Sequence, residues 1–200
     1  MSTPVLVESA YLILLDGEFA AFDALTRRGV AVKLATNSMA SNNHLAAFVG
    51  YAKQRDKLLA TGAELYEMRP DAESERALFS AAQLDEHQTK FGLHAKTAVF
   101  DRKVTFVGSF NLDPRSVNLN TEMGWLIESE TLSNSVADSI ENDIAGGNSW
   151  RVVGTDAGEL EWVTLQNGAV ATETETEPMT TPERRAAARL LAVVPDDAQL

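Results

Sequence analysis

Apolar residues recur with two alternating periods over the first seventy positions, and together they predict a β-α-β-α-β order. Residues 5–15 are mostly apolar with β-branched members, the pattern of a buried strand, and Asp16-Gly17 ends it. Residues 18–28 then place Phe19, Phe22, Leu25 and Thr26 on one helical face before Gly29. Residues 30–35 predict a second strand. A strand–helix–strand unit of this kind implies parallel strands joined by a right-handed crossover. After a polar loop over 36–43, residues 45–60 predict one long helix stopped by Gly62, and residues 63–68 a third strand.

The pattern then loosens. Residues 69–90 are polar and irregular. Residues 95–100 and 104–107 predict two strands around a tight turn at Asp101-Arg102, and residues 122–127 another strand. Over 130–145, Leu132, Val136, Ile140 and Ile144 recur every four positions, which predicts an amphipathic helix. Beyond Trp150, Val152-Val153 and residues 160–165 fit a small hairpin, and the Thr- and Glu-rich residues 169–181 predict a mobile linker. Residues 182–194 fit a short helix with proline in its first turn. The fold class expected is α/β, a mixed sheet flanked by helices. Residues 1–150 form one unit, and residues 151–200 a C-terminal extension of hairpin, acidic linker and helix.

Composition narrows the function classes. The absence of cysteine removes disulfides, thiolate zinc sites and cysteine nucleophiles. A net charge of −12 sets the chain against nucleic-acid phosphates unless its basic residues cluster, so nucleic acid is a disfavoured partner. No apolar run reaches the ~18 residues of a spanning helix, and residues 1–7 lack a basic segment followed by an apolar one. These features predict a cytoplasmic protein, and residues 182–194 offer it one means of peripheral contact at the inner face of a membrane. In residues 182–194, Arg184, Arg185 and Arg189 would form the basic side of a surface helix, with Leu190, Leu191, Val193 and Val194 as the apolar side. A helix packed on its own domain fits the same residues.

The segment that carries chemistry is His94-Ala95-Lys96, then Asp101, then Gly108-Ser109-Phe110-Asn111, then Glu122. Residues two apart on a strand share a face, so His94 and Lys96 are expected to project into one pocket. The returning strand delivers Ser109 and Asn111 beside them, and Gly108 leaves room for a ligand to approach the backbone. An imidazole can attack phosphorus or protonate a leaving oxygen. An ammonium, a hydroxyl and a carboxamide can hold non-bridging phosphate oxygens. A carboxylate such as Glu122 on the far imidazole nitrogen would fix its tautomer. Each element alone is ordinary: Gly-Ser after a strand is usually a turn, and Asp101 suits a tight turn by itself. The combination at fixed spacing carries the argument. One carboxylate and one imidazole are too few to cage a metal, so neither a metal nor another cofactor is expected.

That combination, H-x-K-x4-D-x6-G-S-x-N, resembles the signature of the phospholipase D superfamily. The likeness extends upstream through Thr36-Asn37-Ser38-Met39-Ala40, Gly50-Tyr51-Ala52 and Glu64-Leu65-Tyr66-Glu67. Downstream it runs through Asp113-Pro114-Arg115-Ser116 and Asn120-Thr121-Glu122-Met123-Gly124. The whole is similar to the C-terminal half of bacterial cardiolipin synthases of the phospholipase D type. The resemblance implies a phosphatidyltransferase acting on phospholipids through a phosphohistidine. Two similar halves each bring one motif to a shared pocket. It implies catalytic roles for His94, Lys96, Asp101 and Glu122, with Lys96, Ser109 and Asn111 on the substrate phosphate. His94 would be the acid/base, since the second half more often supplies that role.

The chain departs from the pattern in several places. His44 and His87 lack a lysine two residues later, so one motif stands where family members carry two. The expectation is a half-site completed by a second motif-bearing half, either in a homodimer or as a separate N-terminal half. Asp101-Arg102 replaces the usual Asp-Gly, Ser9-Ala10-Tyr11 the usual Ser-Pro-Tyr, and Phe48 a frequent histidine. Two other readings remain: a non-catalytic or truncated remnant of such an enzyme, and a single-motif homodimeric nuclease, against which the acidic balance weighs.

Overall fold

Three parallel strands open the chain: β1 (Val5–Ser9), β2 (Val32–Asn37) and β3 (Glu64–Met68). Helix α1 (Asp16–Arg27) joins the first pair, and α2 (Leu45–Ala52) with α3 (Arg55–Ala60) the second. After α4 (Glu73–Arg76), β4 (Lys96–Phe100) lies antiparallel to β1 and is followed outward by β5 (Val104–Gly108). Helix α5 (Pro114–Asn118) leads to β6 (Gly124–Glu128), and α6 (Glu130–Asp143) crosses back. On the other flank β7 (Ser149–Gly154) pairs with β3, then β8 (Leu160–Gln166), then β9 (Ala169–Thr174), before α7 (Pro182–Ala192). The result is one nine-stranded mixed sheet in the order β6-β5-β4-β1-β2-β3-β7-β8-β9. This computed structural model describes residues 3–79, 90–166 and 169–193.

Strand alternation divides the core into two layers. Val5, Val7, Val32, Leu34 and Leu65 face α1, α2 and α3. Leu6, Ala35, Tyr66 and Val99 face Ala137, Ile140 and Ile144 of α6. The three parallel strands at its centre are thus covered on both sides, as parallel strands require. The expected mixed sheet flanked by helices is what forms.

Several elements differ from the sequence expectation, each for a local reason. The strand expected over 5–15 ends at Ser9, and Ala10, Leu12, Ile13 and Leu14 leave the sheet while staying buried. An apolar run reports burial, which a packed loop supplies as well as a strand. The helix expected over 45–60 breaks at Lys53-Gln54. Gln54 clamps the chain after β1 there, accepting from Leu14 N at 2.7 Å and donating to Leu14 O at 3.1 Å. On α6 the buried stripe is Ser133, Ala137, Ile140 and Ile144, rotated off Leu132 because Ser133 Oγ bonds Thr105 Oγ1 at 2.8 Å. The expected linker begins as β9, which pairs with β8 across a bulge. His87 and Val194 lie outside the described residues.

Helix α7 packs against α2, with Ala188 and Leu191 in the core. Arg184 donates to Met39 O at 2.9 Å and Asn42 O at 2.6 Å, and Arg185 to Thr180 O at 2.8 Å. Of the two readings of this helix, packing on its own domain is what forms, and two of the three arginines that a membrane-surface helix would present serve that packing. Leu190 and Val193 stay exposed. No helix among the described residues is long and apolar enough to cross a membrane.

Asp101 and Arg102 adopt φ of 52° and 53°, the left-handed region where Asn and Gly are favoured. Arg102 uses that position to reach α6, with Asp138 and Glu141 each 2.6 Å away. The strain costs roughly 1 kcal/mol, and each half-exposed ion pair returns a few tenths to 1 kcal/mol. Arg102→Gly removes both effects and is expected to leave stability within about 0.5 kcal/mol. Arg102→Ala keeps the strain and loses the pairs, and should cost roughly 1 kcal/mol. Urea unfolding of the two variants side by side checks this; an alanine variant as stable as the glycine one would refute it.

Candidate active site

The chemistry-bearing residues gather where the parallel strands end. Ser9 closes β1 and pairs with Lys96 at the start of β4, and Gly108 closes β5 opposite Gly124. Ligand sites of open α/β sheets lie at this carboxyl edge.

His94 sits just before β4, in an extended segment, with its ring exposed. Its backbone is fixed from both sides. Asn37, buried at the end of β2, forms a two-way amide clamp on the preceding residue: Nδ2 donates to Leu93 O at 2.8 Å and Oδ1 accepts from Leu93 N at 2.8 Å. Asn37 Nδ2 also donates to Ala10 O at 3.1 Å. On the other side Ala10 N donates to Ala95 O at 3.2 Å. Gly92 allows the close approach, since a Cβ there would meet Ser41 O at 2.8 Å. The last residue of β2, where a polar loop over 36–43 was expected, thus positions the histidine, a role that the sequence does not announce.

Lys96 Nζ donates to His94 O at 3.0 Å and lies 3.5 Å from His94 Nδ1. Partial burial pulls the lysine below its usual pKa, while Glu122 and Asp113 pull the other way. Glu122 is held below the usual carboxylate range by hydrogen bonds from Ser109 and Asn120. Ser109 Oγ donates to its Oε2, and Asn120 Nδ2 to its Oε1 at 2.9 Å. Met123 N in turn donates to Ser109 Oγ at 3.1 Å. The structure therefore brings His94, Lys96, Ser109 and Glu122 together. Glu122 spends its hydrogen bonds on Ser109 and Asn120, and the expected contact with the His94 imidazole is not made.

Asn111 is buried, and its Oδ1 has no hydrogen-bond partner among the described residues. Such an atom costs roughly 1–3 kcal/mol until something donates to it. Asp113, beside it, caps α5 by accepting from Ser116 N at 2.7 Å.

Two expectations need correction. Asp101 stands at the far end of β4, about 16 Å from Lys96 at ~3.3 Å per residue, and serves the hairpin turn. It touches none of the other site residues. Gly108 makes room for the sheet itself: a Cβ there would meet Met123 O at 2.6 Å and Gly124 Cα at 2.9 Å.

Below the site, on the α6 side, Glu8 is buried in β1. Thr97 Oγ1 donates to its Oε2 at 2.9 Å, and Oε1 has no hydrogen-bond partner among the described residues. Burial first, and then Asp143, push its pKa from 4.5 to about 7. The folded state therefore holds this proton more tightly than the unfolded chain does. Its contribution to stability is fully present below pH 4.5 and is lost as pH rises to about 7. That interval corresponds to roughly 3 kcal/mol. Glu8→Gln is expected to stabilise the protein at pH 8 and to flatten the decline. The flattening is partial, because burial raises Glu177 to about 7 as well. Denaturant unfolding at pH 5 and pH 8 measures this, and equal slopes for the two proteins would refute it.

An apolar cleft of about 430 Å³ borders Glu122, lined by Phe106, Phe110, Met123, Gly124 and Leu126. Met123, Trp125 and Leu126 on the adjoining edge strand are each about two-thirds exposed or more, at 67, 65 and 71%. No group of three or more His, Asp or Glu able to hold a metal ion occurs among the described residues.

Residues 4–144 match the protein family described as "Cardiolipin synthase, PLD-like domain". Cardiolipin synthase C of Escherichia coli K12 is 35% identical over 190 residues, which cover 94% of this chain and 39% of that protein. An uncharacterized protein of Helicobacter pylori J99 is 32% identical over 149 residues, covering 74% of this chain and 28% of that one. The chain thus spans well under half the length of these relatives. Among solved structures, the phospholipase D family member Nuc of Salmonella typhimurium superposes with a TM-score of 0.50 at 18% identity, covering 70% of this chain and 77% of that one. The phosphatidylserine synthase of Haemophilus influenzae does so with a TM-score of 0.50 at 13% identity, covering 72% and 32%. These two likenesses are of fold.

Proposed function

The chain belongs to the PLD-like cardiolipin synthase family, and from that premise we propose that it transfers a phosphatidyl group between phospholipids at a metal-free histidine site, of which it carries one half. The observation that carries this reading is the placing of Lys96 between His94 and the Ser109–Glu122 pair. Lys96 and Asn111 hold the non-bridging oxygens of the substrate phosphate, and Ser109 joins them once its hydroxyl turns from Glu122 to the phosphate. Until then Glu122 holds Ser109, and it balances the lysine charge. An imidazole of the second half bonds to phosphorus as the bond to the leaving alcohol breaks, and His94 gives that oxygen its proton. The acceptor hydroxyl then returns a proton to His94 as its oxygen displaces the phosphohistidine.

One imidazole cannot stand on both sides of phosphorus, since the attacking and leaving groups lie roughly in line. The apolar cleft and the exposed edge strand beside Glu122 supply a face for the second half to cover. Residues 1–150 are the catalytic half in this reading, with 151–200 an extension. The partners are phospholipids met at a membrane surface.

The test is phosphatidyl transfer measured alongside mass in solution, with a chelator present, for the chain alone and with a separately expressed first-half domain. Monomer is expected to be inactive, and either the dimer or the added first half to restore turnover that the chelator leaves unchanged. A strictly monomeric preparation with His94-dependent turnover would overturn the half-site reading. Turnover that stops with the chelator and returns with one metal ion would overturn the metal-free one.

A further inference from the structure

A second cleft, of about 320 Å³, opens beside the candidate site between the segment after β1, the start of α2 and the start of α5. Its polar lining is Tyr11, His44, Asp113 and Arg115, over a floor of Ile13, Ala46 and Ala47. Three of these side chains can donate: an imidazole, a guanidinium, and a phenol that meanwhile donates to Asn43 Oδ1 across a long 3.4 Å. The one carboxylate, Asp113, is buried and committed to the first turn of α5.

The donors are held in place before any ligand arrives. His44 packs edge-on to Tyr11, with ring centroids 6.0 Å apart at 78°. Asn42 Oδ1 accepts from His44 N at 2.8 Å, and Arg184 of α7 holds the Asn42 carbonyl. His44 occupies the N-cap of α2 without capping it, so the first-turn amides beside Ala46 and Ala47 add donors to the same wall. Asn120 links the cleft to the catalytic residues: its Oδ1 accepts from Arg115 Nε at 3.4 Å while its Nδ2 donates to Glu122. Asp113, which lines the cleft, follows Asn111 by two residues, so the two sites lie side by side.

From this geometry we propose that the cleft bounded by Tyr11, His44 and Arg115 binds a second phosphate group, that of the acceptor phospholipid, beside the phosphoryl group held at Lys96 and Ser109. The assignment to an acceptor rests on the transfer reading above; the phosphate chemistry rests on the cleft. A planar guanidinium suits two phosphate oxygens at once, the imidazole and phenol suit one each, and the small apolar floor suits glycerol carbons. In a chain of net charge −12, a concave wall of donors beside a lysine is where an anion is accepted. The arrangement gives transfer its order: the acceptor hydroxyl is delivered from a fixed phosphate a few atoms away.

The experiment is calorimetric titration of the full chain with dihexanoyl phosphatidylglycerol below its micellar concentration, and separately with inorganic phosphate. The proteins compared are the wild type, Arg115→Gln, Arg115→Lys, His44→Gln and His94→Ala. Binding of the short lipid is expected to weaken about tenfold in Arg115→Gln and several-fold in His44→Gln. Arg115→Lys should fall between, and His94→Ala should bind as the wild type does. No lipid binding by the wild type, undiminished binding in both Arg115→Gln and Arg115→Lys, or equal loss in His94→Ala would overturn the proposal. Inorganic phosphate bound as tightly as the lipid, with the same Arg115 dependence, would overturn the acceptor assignment and identify a free-phosphate site. Failure of transfer with Arg115-dependent lipid binding intact would instead count against the His94 reading alone.

Discussion

Arg55→Ala is expected to lower the unfolding free energy by about 3–5 kcal/mol, the largest single stability change we anticipate. Arg55 is 3% exposed and stands at the centre of a buried polar network. Its guanidinium pairs with Glu67 and Glu177, each at 2.6 Å, and its carbon centre lies 4.9–5.0 Å from the rings of Phe48, Tyr51 and Trp162. Glu67 is completed by Tyr51 Oη and Trp162 Nε1, each donating at 2.8 Å. Removing the cation leaves two carboxylates in a dry site, and burial already raises Glu177 to about 7. For a chain of this size the melting temperature should fall by about 10 °C. A triple variant, Arg55→Met with Glu67→Gln and Glu177→Gln, should recover most of the loss, because it removes the unpaired charge along with the pair. A single-variant loss below about 1 kcal/mol would mean that the carboxylates relax into water, and the network would then be peripheral to stability.

His94→Ala should do the opposite, taking activity and leaving stability. In the assembly that turns over phospholipid, the rate is expected to fall by about 10³-fold or more, since positioned proton transfer alone contributes about 10²–10⁴. If two copies of this chain share one pocket, the variant removes the attacking imidazole too, and the loss deepens. The ring is exposed and takes no part in the core, so unfolding should change by no more than about 0.5 kcal/mol. Lys96→Gln should cost roughly 10²-fold through lost stabilisation of the phosphoryl charge. An assembled His94→Ala protein retaining a tenth of the wild-type rate would remove His94 from the chemistry.

The two residues differ in how far the sequence foretold them. His94, Lys96 and Ser109 were legible because a strand and its return impose a fixed spacing on groups that must meet. The β-α-β-α-β order was legible because apolar periodicity reports which face is buried. The network around Arg55 was not, because its members lie 12 and 122 positions from the arginine and meet only when α3, β3 and the C-terminal extension pack. Phe48, which the resemblance set against a frequent histidine, belongs to the same packed group as a buried ring. Asn37 escaped notice for a similar reason: its carboxamide acts on the backbone of a residue 56 positions away. Asp101 was misplaced because spacing along a hairpin does not say which end faces the site. The Glu122–His94 contact was expected from the chemistry of an imidazole as well as from the resemblance, and Ser109 and Asn120 hold that carboxylate instead.

The sheet ends differently on its two sides. At one end β6 offers Trp125 and Leu126 on an open edge. At the other, β8 and β9 crowd Glu159, Glu161, Glu173 and Glu175 into one electrostatic neighbourhood. A free backbone edge invites another strand to add to it, and like charges deter that addition. Growth through β6 is therefore self-limiting. Once two such sheets have joined there, both remaining edges carry the glutamate cluster and repel a third. On the half-site reading proposed above, the same asymmetry makes an unpaired copy vulnerable, because its sticky edge would be bare from the moment it folds until a complement arrives. Producing the two halves together, rather than mixing them after purification, is the course that this edge dictates.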